Sequence, residues 1–152
     1  MFIKKILVPL DGSKLAECVL PFVLDIAPGL GAEVILVTVT NRTQGFWPFE
    51  DASQPKEIRL EPQAVCSMEE QAGQYLNTAA KGLEDKGVKV SKEVICGKTA
   101  QEIIFYAKDN QCDLIVISTH GRSGLGKITH GSITAKILQS APVPVAVIRP
   151  PR

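Results

Sequence analysis

Four runs of the chain are apolar at consecutive positions rather than alternate ones: Ile6-Leu7-Val8, Val34 to Val39, Leu114 to Ile117 and Val145 to Ile148. A strand that is apolar on both faces must be covered on both, a condition met by parallel sheets held between helices. Between these runs the period changes. Ala16, Val19, Leu20, Val23 and Ala27 fall on one face of a helix from Ser13 to Ala27, with Ser13 as N-cap and Pro28-Gly29 as the stop. Val65, Met68, Ala72, Tyr75 or Leu76, Ala79 and Leu83 mark a second helix that Gly87 ends. Val88 to Ile95 mixes apolar and charged residues, which suits an edge strand. Thr99 and Glu102 form a capping box for a third helix with Ala100, Ile103, Ile104 and Ala107 on its apolar face. A fourth helix is expected over Ser132 to Ser140, ahead of the last strand.

The resulting order, β-α-β-α-β-α-β-α-β, predicts an α/β fold: a single doubly wound five-stranded parallel sheet with right-handed crossovers. A chain of 152 residues suits one domain with a self-sufficient core. Residues 40–61, with Pro48, Pro55 and no period, form a long loop. Phe46, Trp47 and Phe49 either tack that loop down, the preferred reading, or offer a ligand or partner surface.

The formal net charge of +1 argues against a polycation that coats nucleic acid or an anionic membrane. Its distribution is uneven. The last acid is Asp113; residues 1–113 carry 12 basic and 16 acidic groups, whereas Arg122, Lys127, Lys136, Arg149 and Arg152 follow with no acid among them. No run approaches the roughly 20 apolar residues of a transmembrane helix, and the basic start at Lys4-Lys5 leads into a strand and not a cleavable leader. Cys18, Cys66, Cys96 and Cys112 form no C-x-x-C pair and no metal-ligand spacing, so buried or half-buried thiols in a reducing cytoplasm are expected.

A doubly wound sheet binds its ligands at the carboxyl ends of the strands, where the strand order reverses. That rule singles out Pro9 to Ser13, Val39 onward, and Ser118 to Gly131. The last segment holds four glycines, two histidines, Arg122 and Lys127, and opens a helix at Ser132. Glycine allows close backbone approach, successive N–H groups can converge on an anion, and the helix N-terminus adds partial positive charge. Ser132 and Thr134 supply hydroxyls in the first turn. This is chemistry for a phosphate chain. Gly121 to Lys127 also reads as the opening of a P-loop, but Ile128 stands where Ser or Thr should hold Mg²⁺ and no acid follows. A P-loop hydrolase is thereby disfavoured.

Gly121, nine further residues, then Gly131-Ser132 match the second half of the G-x2-G-x9-G-[S/T] pattern. Together with Ile6 to Ser13, Leu36 to Val39, Gly97 and Ser140 to Val145, the chain resembles the ATP-binding branch of the universal stress protein family over nearly its whole length. It departs at the first glycine of the pattern, where it has Ser118; serine is small enough for close approach but strained at positive φ. The resemblance implies an adenine nucleotide alpha hydrolase-like sheet of strand order 3-2-1-4-5. It implies ATP as cofactor, with or without Mg, and Pro9, Leu10 and Asp11 beside the adenosine, with Val39 lining the base. Ser118, Gly121 and Arg122 would hold the phosphates from one side, and Gly131, Ser132, Ile133 and Thr134 from the other. It further implies a cytoplasmic homodimer paired through the last strand, acting on an unspecified protein partner, with no nucleic acid or membrane involved.

Alternatives remain for single residues. Asp11 could cap its own turn, as Asp-Gly-Ser often does. Arg122 and Lys127 could be solvated loop charges, and His120 and His130 could orient the loop. The functional expectation is a stress-response regulator working through nucleotide-dependent conformation and partner choice. The rivals are a slow ATPase in the same pocket and a nucleotide-free dimeric interaction protein.

Overall fold

The consecutive apolar runs become strands whose neighbouring residues point into two different cores. In the computed structural model, which describes residues 2–40, 62–119 and 132–151 (at 62–66 and 132 the helical backbone alone), β1 spans Lys5–Pro9, β2 Glu33–Thr40, β3 Val90–Cys96, β4 Leu114–Ser118 and β5 Val145–Ile148. They form one parallel sheet of order β3-β2-β1-β4-β5, as expected. Ile6, Val8, Val34, Leu36, Leu114 and Val116 face one layer; Leu7, Ile35, Val37, Ile115 and Ile117 face the other. The period-2 alternation of a strand explains how every position can be apolar without waste.

The first layer is closed by α1 (Val19–Leu30) and α2 (Pro62–Glu84), through Val19, Val23, Ala27, Met68, Ala72, Leu76 and Leu83. The second is closed by α3 (Thr99–Asp109) and α4 (Ser132–Ser140), through Ala100, Ile103, Ala107 and Ile137. β3 is an edge strand, as its mixed sequence predicts. No helix among the described residues is long and apolar enough to cross a membrane.

Several boundaries differ from the sequence reading. α1 is preceded by a 3-10 turn, Ala16–Cys18, and runs through Pro28-Gly29 to Leu30. Pro28 forfeits a single intrahelical N–H bond, whereas the true stop is Gly31 at φ 61, a left-handed position that glycine adopts without strain. There Gly31 N–H donates to the Pro28 carbonyl at 3.2 Å and Ala32 N–H to the Ala27 carbonyl at 3.0 Å, closing the helix in a Schellman motif. At α3, Lys98 is the N-cap, and no side-chain cap bond is formed by Thr99. The Glu102 side chain packs beneath Gly97 instead, where a Cβ would come within 2.7 Å of it. Pro9 belongs to β1 as its last residue, because a strand end needs no further donor there. The long 40–61 loop, with Phe46, Trp47 and Phe49, lies outside the described residues apart from Thr40, which ends β2.

Candidate functional site

The order of strands reverses between β1 and β4, and in a doubly wound sheet the carboxyl ends at such a reversal are where a ligand cleft is expected. One wall is the turn after β1. Pro9 pairs in register with Val37, and Leu10, buried, donates its N–H to the Val37 carbonyl at 2.8 Å. Asp11 Oδ1 then accepts from the Ser13 N–H at 2.9 Å and from the Ser13 hydroxyl at 2.6 Å. Between them Gly12 sits at φ 88, which only glycine adopts readily. Ser13 Oγ accepts from the Ala16 N–H at 3.1 Å, but the N-cap positions fall at Leu15 for the 3-10 turn and Cys18 for α1, neither with a side-chain cap bond, so Ser13 is not the N-cap the sequence suggested. Asp11 thus does organise its own turn. An ionised carboxylate offers about four acceptor sites, so that duty is compatible with receiving further donors from a ligand.

Val39, next to last in β2, is half-buried against the second core at the same end of the sheet. Ser118 ends β4 and is buried. It lies in extended strand, and Gln111 is the one non-glycine residue with positive φ among the described residues, so serine is not strained at 118. The Ser118 carbonyl accepts from the Thr134 hydroxyl at 3.1 Å. Thr134 is buried in the first turn of α4, whose backbone begins at Ser132, while Ile133 turns outward and is exposed. Pro9, Leu10, Asp11, Val39, Ser118 and Thr134 therefore meet at one end of the sheet. The first turn of α4 brings there the unpaired N–H groups and positive dipole end of a helix. Gly121, Arg122, Gly131, His120, Lys127 and His130 lie outside the described residues.

Leu15, Glu17 and Cys18, at this end of the fold, were not among the site residues expected from the sequence. Ser118 Oγ donates to the Leu15 carbonyl at 3.3 Å and accepts from the Cys18 thiol at 3.5 Å, partners about a hundred positions away. Glu17 beside them has its carboxyl pushed above its ordinary pKa by burial, with Asp11 adding to the rise and Lys14 opposing it. One Glu17 carboxylate oxygen is buried with no hydrogen-bond partner among the described residues. The free cysteines differ in setting: Cys18 is half-buried, Cys112 is buried and its thiol is pushed up to about 11 by desolvation, whereas Cys96 is exposed. Cys96 thus departs from the expectation of buried or half-buried thiols, because it ends the edge strand β3. Among the described residues no group of His, Cys, Asp or Glu is arranged to hold a metal ion. A groove of about 510 Å³ lined by Lys5, Pro28, Glu33 and Lys89 lies at the opposite end of the sheet. Two of its three lysines are engaged within the protein, Lys5 with the Asn110 carbonyl and Lys89 with Glu33.

Comparison with known proteins agrees with this architecture. The universal stress protein family model matches residues 2–149. Universal stress protein MJ0531 of Methanocaldococcus jannaschii is 32% identical over 149 residues, covering 98% of this chain and 84% of the relative. The solved structure of MJ0577, a universal stress protein of the same organism, superposes with a TM-score of 0.77 at 26% identity, over 100% of this chain and 99% of that one. The universal stress protein of Archaeoglobus fulgidus, solved in complex with dAMP, shares the fold with a TM-score of 0.66 at 21% identity, over 97% and 99% of the two chains. From its first strand to its last, this chain belongs to the universal stress protein family.

Proposed function

We propose that the cleft between β1 and β4 binds an adenine nucleotide, ATP in the first place, and that the chain acts as a stress-response regulator. The carrying observation is that the Asp11 turn after β1, Val39 near the end of β2 and Ser118 at the end of β4, bonded to Thr134 in the first turn of α4, all stand at one end of the sheet. A carboxylate acceptor beside an apolar strand end suits a ribose and a base. A helix N-terminus with a buried threonine suits phosphates. The dAMP complex of the Archaeoglobus relative supports the same ligand class.

In this reading Pro9, Leu10, Asp11 and Val39 take the adenosine. The turn containing Ser118, Gly121 and Arg122 and the segment Gly131 to Thr134 take the phosphates, and Mg, where present, is held by the nucleotide itself. Nucleotide occupancy changes the conformation presented to a protein partner in the cytoplasm. The β5 edge pairs two copies. In this reading the chain is at most a slow ATPase.

The test is direct. Purified protein should carry adenine nucleotide detectable by mass spectrometry, or gain melting temperature with ATP. Gly131→Arg, which places a long side chain at the helix entry, should abolish that gain. Absence of nucleotide together with no ATP-induced shift would sink the reading. Hydrolysis well above background, abolished by Asp11→Asn, would replace the regulator by an enzyme.

A further inference from the structure

One side chain joins the two walls of the cleft. On the β1 side, Asp11 Oδ1 accepts from Ser13, and Ser13 Oγ accepts from the Ala16 N–H. On the α4 side, the Thr134 hydroxyl donates to the Ser118 carbonyl at 3.1 Å. Between them Ser118 Oγ donates to the carbonyl of Leu15, the residue before Ala16, at 3.3 Å, and the Cys18 thiol lies 3.5 Å from the same oxygen. A connected path of hydrogen bonds therefore runs from the Asp11 carboxylate through the turn and Ser118 to the first turn of α4.

The segment being tied needs the tie. It is a turn and a three-residue 3-10 helix, and such short helices have poor internal hydrogen-bond geometry. The Leu15 carbonyl accepts from the Cys18 N–H within that turn and from Ser118 Oγ outside it, at 3.3 Å in both cases. Ser118, by contrast, stands on the buried end of a central strand, only 6% exposed. The rigid element thus positions the weak one.

We infer that Ser118 is a positioning residue: its hydroxyl holds the 11–18 turn against β4 and so sets where Asp11 stands relative to α4. The inference rests on the nucleotide reading above and deepens it, because it directs the hydroxyl to the protein's own turn and not to a phosphate. Alanine at 118 keeps the strand and removes the tie; the Ser118 carbonyl bond to Thr134 is kept as well.

The experiment compares the full-length wild type with Ser118→Ala. In the unliganded proteins, backbone amides of residues 16–18 should exchange about three- to tenfold faster in the variant, the weight of one neutral hydrogen bond. Amides of β1 and β2 should be unchanged. Calorimetric titration with adenosine, AMP and ATP should then show all three weakened by one common factor, since the loss arises on the adenosine side. A loss that grows with phosphate number while adenosine is unaffected would make Ser118 a phosphate ligand and overturn the inference. Unchanged exchange at 16–18 would overturn it too. If the wild type binds none of the three, the nucleotide reading fails, while the exchange measurement still decides whether Ser118 holds the turn.

Discussion

Glu17 illustrates how a single residue near a site can cost stability. Its carboxyl is raised above the ordinary value of 4.5, first by burial and then by Asp11, against the help of Lys14. An acid with a raised folded-state pKa binds more protons when folded than when unfolded. Stability therefore falls as pH climbs from about the unfolded value through the folded one, then levels off. Glu17→Gln removes the charge but keeps the shape. It should raise the melting temperature at pH 7, and the gain should shrink as pH is lowered through the raised folded-state value toward 4.5 and be lost below it, where wild-type Glu17 is protonated in both states. A variant equally stabilised, or destabilised, at both ends of that range would contradict the assignment. Asp11 and Ser118 show what the residue scale could and could not reveal. The Asp-Gly-Ser sequence announced a self-capping turn, because a short polar side chain reaches donors two positions on. Nothing announced that Ser118 would reach Leu15.

At the scale of elements the helices were legible because burial imposes a period, and their ends were less so because caps are single residues. Ser13 bonds the Ala16 N–H but stands before the N-cap positions Leu15 and Cys18, and Pro28-Gly29 did not end α1, since the left-handed position falls at Gly31. This separates the glycines into two kinds. Gly73 and Gly82 lie inside α2 with nothing within 4 Å of an added Cβ, so glycine there contributes only chain entropy to the unfolded state. Gly73→Ala and Gly82→Ala should each stabilise the fold by about 0.5–1 kcal/mol. Gly31 also has open space around it, but its φ of 61 disfavours a side chain. Gly31→Ala should therefore destabilise, by roughly 1 kcal/mol. Urea titrations of the three variants check all of this through the sign alone.

For the molecule as a whole, the proposed pairing puts a second copy at the β5 edge of the sheet. β5 is an edge strand whose Pro144 and Ile148 carbonyls accept from Ile115 and Thr119 N–H groups, at 3.0 Å in both cases. Alternation along the strand then turns the amides of Val145 and Val147 away from β4, toward the edge. If two copies pair there, Val147→Pro removes an outward donor without touching the β4 ladder, and light scattering should show a dimer become a monomer. A wild-type monomer, or a dimer indifferent to Val147→Pro, would place the contact elsewhere. The sequence by itself determined the layered architecture: short, almost wholly apolar, β-branched runs alternating with helix-period segments suit strands of a parallel sheet covered on both faces, and the helices between them must run back across the sheet. It also placed the candidate residues at the carboxyl ends of the strands, since in a parallel sheet all those ends lie on one side. The family resemblance, and not periodicity, carried the strand order. Tertiary structure alone decided which residues touch across the cleft. The partners Ser118 and Leu15 stand 103 positions apart, and a hydrogen bond between distant segments imposes no spacing on either.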